Sequence, residues 1–246
     1  MSGEQATKRP TLEELKERKA QTRRRLERTG EILTLSMGPQ HPSTHGVYRA
    51  ELDLDGEVIV AARPEIGNLH RGLEKLCEHR TYHQIIPLTD RLDYISGFAM
   101  NHAFCEAAEK LMGVEVPPRG RYIRTIAHEL SRIANHILWL GVHVMDLGTQ
   151  TFFCICFRDR EYVLDLFEML CGARLTHSFA RIGGVAKDLP DGFEHRCRKV
   201  IDFIPKRVAE YERIIKHNRI YYKRTKGVGI FTAEDCYAWR VTGPPL

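Results

Sequence analysis

Two histidines four residues apart, His41 and His45, lie in a segment rich in proline and glycine. It reads Met-Gly-Pro-Gln-His-Pro-Ser-Thr-His-Gly-Val-Tyr-Arg over residues 37–49. The prolines and glycines disfavour a helix, so we predict a loop. Loops often carry catalytic residues, and an imidazole exchanges its proton near neutral pH. The loop is therefore a candidate proton-transfer site, although two solvent-facing turn histidines fit the same pattern.

Side chains at two other points of the sequence could also donate or accept protons. Asp146 follows His143 by three residues, so the two share one face of a helix, and a carboxylate can raise the pKa of an imidazole. A surface ion pair fits that spacing equally well. Tyr94 closes the run Thr-Asp-Arg-Leu-Asp-Tyr, and its hydroxyl could donate to a carbonyl or quinone oxygen, although most tyrosines simply pack.

Metal and nucleotide sites are not indicated by the sequence. His-Glu-Leu-Ser-Arg at 128–132 has an arginine where the zinc-peptidase motif needs its second histidine, so we interpret His128 and His136 as a polar seam between helices. The seven cysteines are scattered without a Cys-x-x-Cys pair, which favours structural thiols in a reducing compartment. A glycine-rich phosphate loop is missing as well.

The elements that must position these residues are a small sheet and a set of helices. Alternating runs on either side of Asp55-Gly56 predict a β-hairpin beside the histidine loop. Apolar residues at intervals of three and four then predict helices over 66–80, 88–112, 121–144, 152–170 and 193–220. We therefore expect an α+β fold, mainly α. Its parts are a charged N-terminal arm (1–30), a small antiparallel sheet with the loop (31–65), a helical bundle (66–226) and the start of a further element (227–246).

Composition narrows the classes of protein to which the chain could belong. The net charge of +5 is mild, and its basic stretches lack the interleaved aromatics of a nucleic-acid binder, so we expect no nucleic-acid partner. The sequence contains no run of about 18 apolar residues, so any membrane contact is expected to come through partners. The first residues lack the apolar core of a signal peptide, which predicts a cytoplasmic or equivalent location.

Five motifs together resemble the 49 kDa subunit, also called the D-type subunit, of respiratory NADH:quinone oxidoreductase (complex I). The histidine loop is the longest of them, and the resemblance runs from about residue 31 to the end. The others are Gly-Asn-Leu-His-Arg-Gly-Leu-Glu-Lys, Thr-Asp-Arg-Leu-Asp-Tyr, His-Glu-Leu-Ser-Arg-Ile-Ala-Asn-His and Cys-Gly-Ala-Arg. A more distant resemblance, to the large subunit of nickel-iron hydrogenases, implies a similar fold, but that family's paired nickel-binding cysteines have no counterpart here.

The resemblance implies a role for each candidate residue. His45 and Tyr94 match the pair that hydrogen-bonds and protonates the quinone, and Asp146 matches the carboxylate that partners the histidine. Arg71 and Arg91 match arginines near the terminal [4Fe-4S] cluster, which a neighbouring subunit holds. The family's cluster-proximal histidine aligns with Thr176, so that role passes to His177, the next residue.

The same resemblance implies partners and a location. We expect quinone as substrate and other complex I subunits as partners, especially the terminal-cluster subunit and the heel subunit of the membrane arm. The chain would be a peripheral, inactive-alone subunit of a proton-pumping enzyme. It would lie on the cytoplasmic face of the inner membrane, or on the matrix side in mitochondria. Family chains continue well past Gly-Pro-Pro-Leu, so we expect a C-terminally truncated chain. The alternatives are a subunit of a related membrane-bound hydrogenase-type complex and a non-catalytic assembly fragment.

Overall fold

A computed structural model describes residues 32–41 and 44–241 of the chain. Within these residues the chain divides into two compact units, the first ending at Gly72 and the second beginning at Leu73. The predicted charged arm, residues 1–30, lies outside the described residues.

The first unit contains a three-stranded antiparallel sheet with the strand order β1-β2-β3. Its strands are β1 (Leu33–Met37), β2 (Arg49–Asp55) and β3 (Val58–Glu65). The β2–β3 turn passes through Gly56 at φ +61°, which confirms the hairpin predicted from Asp55-Gly56. The histidine loop is the connection between β1 and β2, so adjacent paired strands hold both of its ends.

A polar cluster holds the three strands in register. Asp53 on the central strand accepts two hydrogen bonds from the Arg63 guanidinium, at 2.6 and 2.8 Å, and one from Thr34 Oγ1 at 2.9 Å. The Arg63 hydrogen bonds, with that of Thr34, lower the pKa of Asp53 to about 2. The carboxylate is therefore ionised at physiological pH and links β2 to both neighbours.

The second unit is helical, with one very short hairpin. Its helices are α1 (Leu73–Glu78), α2 (Tyr82–Thr89), α3 (Gly97–Met112), α4 (Pro118–Asp146), α5 (Gln150–Cys171), α6 (Phe193–Lys216), α7 (Arg219–Thr225) and α8 (Ala233–Trp239). The hairpin strands are β4 (Ala180–Arg181) and β5 (Gly184–Val185). The mainly α architecture with a small antiparallel sheet confirms the predicted fold class.

The long helix α4 is the centre of the apolar core. Its sequence begins with a proline at the first helical position, where the missing N–H costs nothing. Buried small and apolar residues then recur every three or four positions: Ile123, Ala127, Leu130, Ala134, Ile137, Gly141 and Val144. This stripe packs with buried residues of α5, among them Phe152, Val163 and Phe167.

All five predicted helices differ from their predicted bounds, three of them by more than three residues. The helix predicted over 66–80 is limited to Leu73–Glu78, and that predicted over 88–112 begins at Gly97, after a turn over residues 90–96. The helix predicted over 193–220 ends at Lys216. Asn218 then starts α7, because its side chain accepts the N–H groups of Ile220 and Tyr221.

Candidate functional site

The histidine loop is held by its own backbone and by one buried threonine. Thr44 is 2% exposed, and its hydroxyl donates to the carbonyl oxygens of Pro39 at 2.9 Å and His41 at 2.8 Å. At Gly38, φ is +88°, and a Cβ atom would lie only 2.0 Å from the Tyr48 carbonyl oxygen, so only glycine fits. The loop predicted from the prolines and glycines is confirmed, with His41 supporting it through its backbone.

His45 stands at the exposed tip of this loop in a left-handed conformation. Its φ is +51°, which is uncommon for a residue with a side chain, and Gly46 follows at φ +82°. Such conformations cost about 1–3 kcal/mol and occur most often at functional sites. Arg71, near the end of the same unit, is also exposed.

In the second unit, the turn between α2 and α3 carries the other motif residues. Arg91 is exposed and donates through Nη1 to the Pro87 carbonyl oxygen, which ties its guanidinium to α2. Tyr94 is 53% exposed, so its side chain is accessible to a ligand or a partner. Both residues lie on the turn that replaces the first part of the predicted helix.

His177 is buried, unlike the other candidate residues. It is 7% exposed and stacks on Phe167 with ring centroids 3.9 Å apart. Burial lowers the pKa of His177 to about 4, so the imidazole is neutral at physiological pH. Thr176, directly before His177, is half-buried.

Asp90 joins the Arg91 turn to the His177 segment. It is fully buried, and its Oδ2 atom accepts the backbone N–H of Ser178 at 2.8 Å. Arg91 directly follows Asp90 and His177 directly precedes Ser178, so the structure brings these two candidate residues into one region. Sequence reasoning missed Asp90, although its place before the arginine of Thr-Asp-Arg was a usable signal.

Asp146 lies elsewhere in the second unit, at the exposed C-terminal end of α4. Ser131, whose hydroxyl lies 3.5 Å from that of Ser96 at the start of α3, is 15 residues earlier on α4, or about 22 Å along the axis. His143, one turn before Asp146, stacks on Trp139 and meets the edge of the Tyr221 ring. Asp146 thus belongs to a different end of the bundle from the 90–96 turn.

Of the two histidines predicted to form a polar seam, His128 contacts α3, whereas His136 is exposed. His128 Nδ1 lies 3.1 Å from His102 Nδ1, and burial lowers the pKa of His102. No group of three or more metal-ligating side chains comes together within residues 32–41 and 44–241. Burial also raises the pKa of two core thiols, Cys105 to about 11 and Cys156 to about 12, so both stay protonated near neutral pH.

The buried carboxyl of Asp90 should make stability depend on pH. Burial raises its pKa from 3.8 to about 6, against the opposing effects of the Ser178 N–H and the positive charges of Arg91 and Arg181. Because folding raises this pKa, the protonated Asp90 carboxyl contributes to the free energy of unfolding. This contribution is complete below about pH 3.8 and is lost as the pH rises through about 6. The free energy of unfolding of an Asp90→Asn variant, relative to that of the wild type, should therefore be about 1 kcal/mol higher at pH 8 than at pH 5.

Urea unfolding of the full chain at both pH values measures this difference. An Asp93→Asn variant on the same turn provides the control for removing a nearby carboxylate. A gain for Asp90→Asn that is equal at both pH values, or reversed, would show that the carboxyl does not titrate in this range.

Comparisons with known proteins agree with the motifs. Residues 146–246 match the family model described as the 49 kDa subunit of respiratory-chain NADH dehydrogenase. A protein from Desulforamulus reducens, named as the D-type subunit of NADH-quinone oxidoreductase, is 55% identical over 89% of this chain and 60% of its own length. Proteins of the same name from Geotalea uraniireducens and Campylobacter jejuni are each 50% identical, over 88% and 87% of this chain.

The chain spans 52–60% of the length of these relatives. Over nearly nine-tenths of its length, the chain is a homologue of the D-type, 49 kDa subunits of NADH-quinone oxidoreductase.

Proposed function

We propose that this chain acts as the quinone-binding subunit of a proton-pumping NADH:quinone oxidoreductase of the complex I type. The observation that carries the proposal is the identity of about half of all residues over nearly nine-tenths of the chain. The catalytic unit is the assembled complex, because the electrons come from a cluster that a neighbouring subunit holds.

His45 and Tyr94 are the proposed quinone ligands. Quinone becomes quinol by taking up two electrons and two protons, one proton at each carbonyl oxygen. A phenol hydroxyl and an imidazole can each hydrogen-bond such an oxygen and supply a proton. Support comes from their motifs and from their exposure, since His45 stands at a loop tip and Tyr94 is 53% exposed. Asp146 is the proposed carboxylate that responds to the histidine's change of charge.

Arg71, Arg91 and His177 are proposed to lie near the partner's [4Fe-4S] cluster without ligating it. The cluster would supply the electrons one at a time. An exposed guanidinium keeps its positive charge at any physiological pH and favours a reduced, more negative cluster. His177, with its lowered pKa, would contribute a neutral ring. The Asp90–Ser178 hydrogen bond supports a common region for Arg91 and His177.

The proposed partners are the terminal-cluster subunit and the heel subunit of the membrane arm. None of the helices in the described part of the chain is long and apolar enough to cross a membrane. We propose a peripheral position on the cytoplasmic face of the inner membrane, or on the matrix face in a mitochondrion, with membrane contact through the partners.

A Tyr94→Phe change in the assembled enzyme tests the proposal. The change removes one hydroxyl from an exposed ring, so the fold should be unaffected. Loss of a positioned proton donor should lower the rate of NADH:quinone reduction about 100-fold. The rate with ferricyanide, which accepts electrons without entering the quinone site, should stay the same. Both rates are measured on the same membranes.

The matched control is Tyr122→Phe, at another exposed tyrosine of the second unit (73% exposed). This control should leave both rates unchanged. Equal loss of the two activities in Tyr94→Phe, or no loss of quinone reduction, would refute the role of Tyr94.

A further inference from the structure

Two buried polar side chains hold the segment that follows His177. Asp90 Oδ2 accepts the Ser178 N–H at 2.8 Å, and Asn101 Oδ1 accepts the Ala180 N–H at 2.8 Å. Both Asp90 and Asn101 are fully buried. One acceptor lies on the turn before α3 and the other on α3 itself, so the backbone N–H groups of Ser178 and Ala180 are fixed to this turn and this helix.

Ser178 has an unusual backbone conformation that the first of these hydrogen bonds holds. Its φ is +41°, which is sterically unfavourable for a residue with a Cβ atom. A conformation of this kind persists only when surrounding contacts fix it. The Asp90 carboxylate provides such a contact at the amide that links Ser178 to His177.

The turn that carries Arg91 and Tyr94 is closed around the same carboxyl group. A Cβ atom at Gly97 would lie 3.1 Å from the Asp90 carbonyl oxygen and 3.5 Å from Asp90 Oδ1. Glycine therefore allows the end of the turn to fold back onto its first residue. Asp90, the first residue of the turn, therefore lies beside Gly97 just after the turn and is hydrogen-bonded to the His177 segment.

The second carboxyl oxygen is not explained by packing alone. Asp90 Oδ1 is buried and has no hydrogen-bond partner among the described residues. A buried, half-satisfied carboxylate costs stability, and a neutral side chain would avoid that cost. This cost suggests that Asp90 has a role beyond stabilising the fold.

We propose that Asp90 is a positioning residue of the quinone-reducing site, which holds the turn of Arg91 and Tyr94 and the segment of His177 in one arrangement. The inference rests on the proposed function of those three residues. Asp90 touches neither quinone nor cluster in this proposal, and it acts through the backbone of Ser178.

The essential feature is an acceptor atom at the position of Oδ2. Asparagine keeps an acceptor oxygen of the same reach, whereas leucine keeps nearly the same volume without an acceptor. Asp90→Asn should therefore preserve the arrangement, and Asp90→Leu and Asp90→Ala should release it. Asp93→Ala, on the same turn, is the matched control.

Amide hydrogen exchange of the full chain reads the arrangement directly. In Asp90→Leu and Asp90→Ala, exchange at Ser178 should rise about tenfold, as expected for loss of the hydrogen bond to Asp90 Oδ2. In Asp90→Asn and Asp93→Ala it should stay within about twofold of the wild type. Unchanged exchange in Asp90→Leu, or equal increases in Asp90→Leu and Asp90→Asn, would overturn the proposal. If the alanine variant does not fold, the leucine variant carries the comparison alone.

Activity of the assembled enzyme then separates this inference from the proposed function. Quinone reduction should fall in Asp90→Leu and stay at the wild-type rate in Asp90→Asn. The rate of ferricyanide reduction should be unchanged in both variants. If Tyr94→Phe has no effect on quinone reduction, the proposed function fails, whatever the exchange result. If Tyr94→Phe lowers quinone reduction but Asp90→Leu does not, the positioning role of Asp90 is wrong and the proposed function stands.

Discussion

An Arg124→Ala change is expected to destabilise the second unit by about 3–5 kcal/mol, because it leaves a buried carboxylate without its partner. Arg124 Nη1 donates to Glu109 Oε2 at 2.9 Å, and the two side chains are only 3% and 6% exposed. Burial alone would raise the pKa of Glu109, but the hydrogen bonds from Arg124 and Gly183 outweigh burial and lower it. Glu109 is therefore charged in the folded chain.

The same guanidinium also holds the short hairpin β4–β5. Arg124 Nε donates to the Gly184 carbonyl oxygen at 2.9 Å and Nη2 to that of Arg181 at 2.6 Å. The Glu109 carboxylate accepts the Gly183 N–H at 2.7 Å. Loss of the arginine thus leaves several buried polar groups unsatisfied at once, which explains why the expected effect is large.

Urea unfolding of the full chain gives the free energy for this test. Arg119→Ala is the control on the same helix, because Arg119 pairs with Asp188 through side chains that are 68% and 60% exposed. Exposed pairs contribute about 0–1 kcal/mol. A loss in Arg124→Ala no larger than that in Arg119→Ala would contradict the assignment of a buried ion pair.

The second large effect is expected for Asp159→Ala, at about 3 kcal/mol. Asp159 on α5 is fully buried and accepts hydrogen bonds from Arg158 Nε at 2.9 Å, Arg207 Nε at 2.6 Å and Tyr211 Oη at 2.7 Å. Burial by itself would raise the pKa of Asp159, but these three donors together lower it. Two of the donors belong to α6, so the carboxylate fastens α6 to α5.

Tyr211→Phe separates the carboxylate from one of its donors. This variant loses a single hydrogen bond to a charged carboxylate from a 2% exposed ring and keeps the packing, so it should cost about 1.5 kcal/mol. The comparison uses thermal and urea unfolding of both variants. Equal costs for Asp159→Ala and Tyr211→Phe would mean that the arginine contacts contribute nothing.

Much of this fold follows from local patterns in the sequence. The apolar spacing along α4 and α5 and the Asp55-Gly56 turn are short-range signals, and each produced the predicted element. The loop around His45 followed in the same way from its prolines and glycines. These elements need no information from distant parts of the chain.

Two features could not be predicted, because distant side chains determine them. The turn over residues 90–96 interrupts an apolar pattern that continues across it, and it depends on burial of Asp90 against Ser178, 88 residues away. The β4–β5 hairpin has strands of only two residues, and side chains of α3 and α4 hold it. The spacing of apolar residues along the sequence does not predict contacts between distant side chains.

For the candidate site, too, the sequence predicted some features and only the structure showed others. Residue chemistry indicated His45, Tyr94 and Asp146 as groups that could transfer protons. It left a non-functional alternative open for each: a solvent-facing turn residue, a packed ring and a surface ion pair. Their proposed roles came from the resemblance to a family. The link between Arg91 and His177, and the residue that makes it, came only from the three-dimensional structure.

Labelling with a photoreactive quinone tests the central claim most directly. The assembled enzyme is illuminated with a quinone analogue whose headgroup carries the reactive function, with and without excess ordinary quinone, and the labelled peptides are identified. We expect label in this chain, on the peptides that contain His45 or Tyr94, and we expect excess quinone to suppress it. Label confined to other subunits, or label on this chain that excess quinone does not reduce, would contradict the proposal that the chain binds quinone.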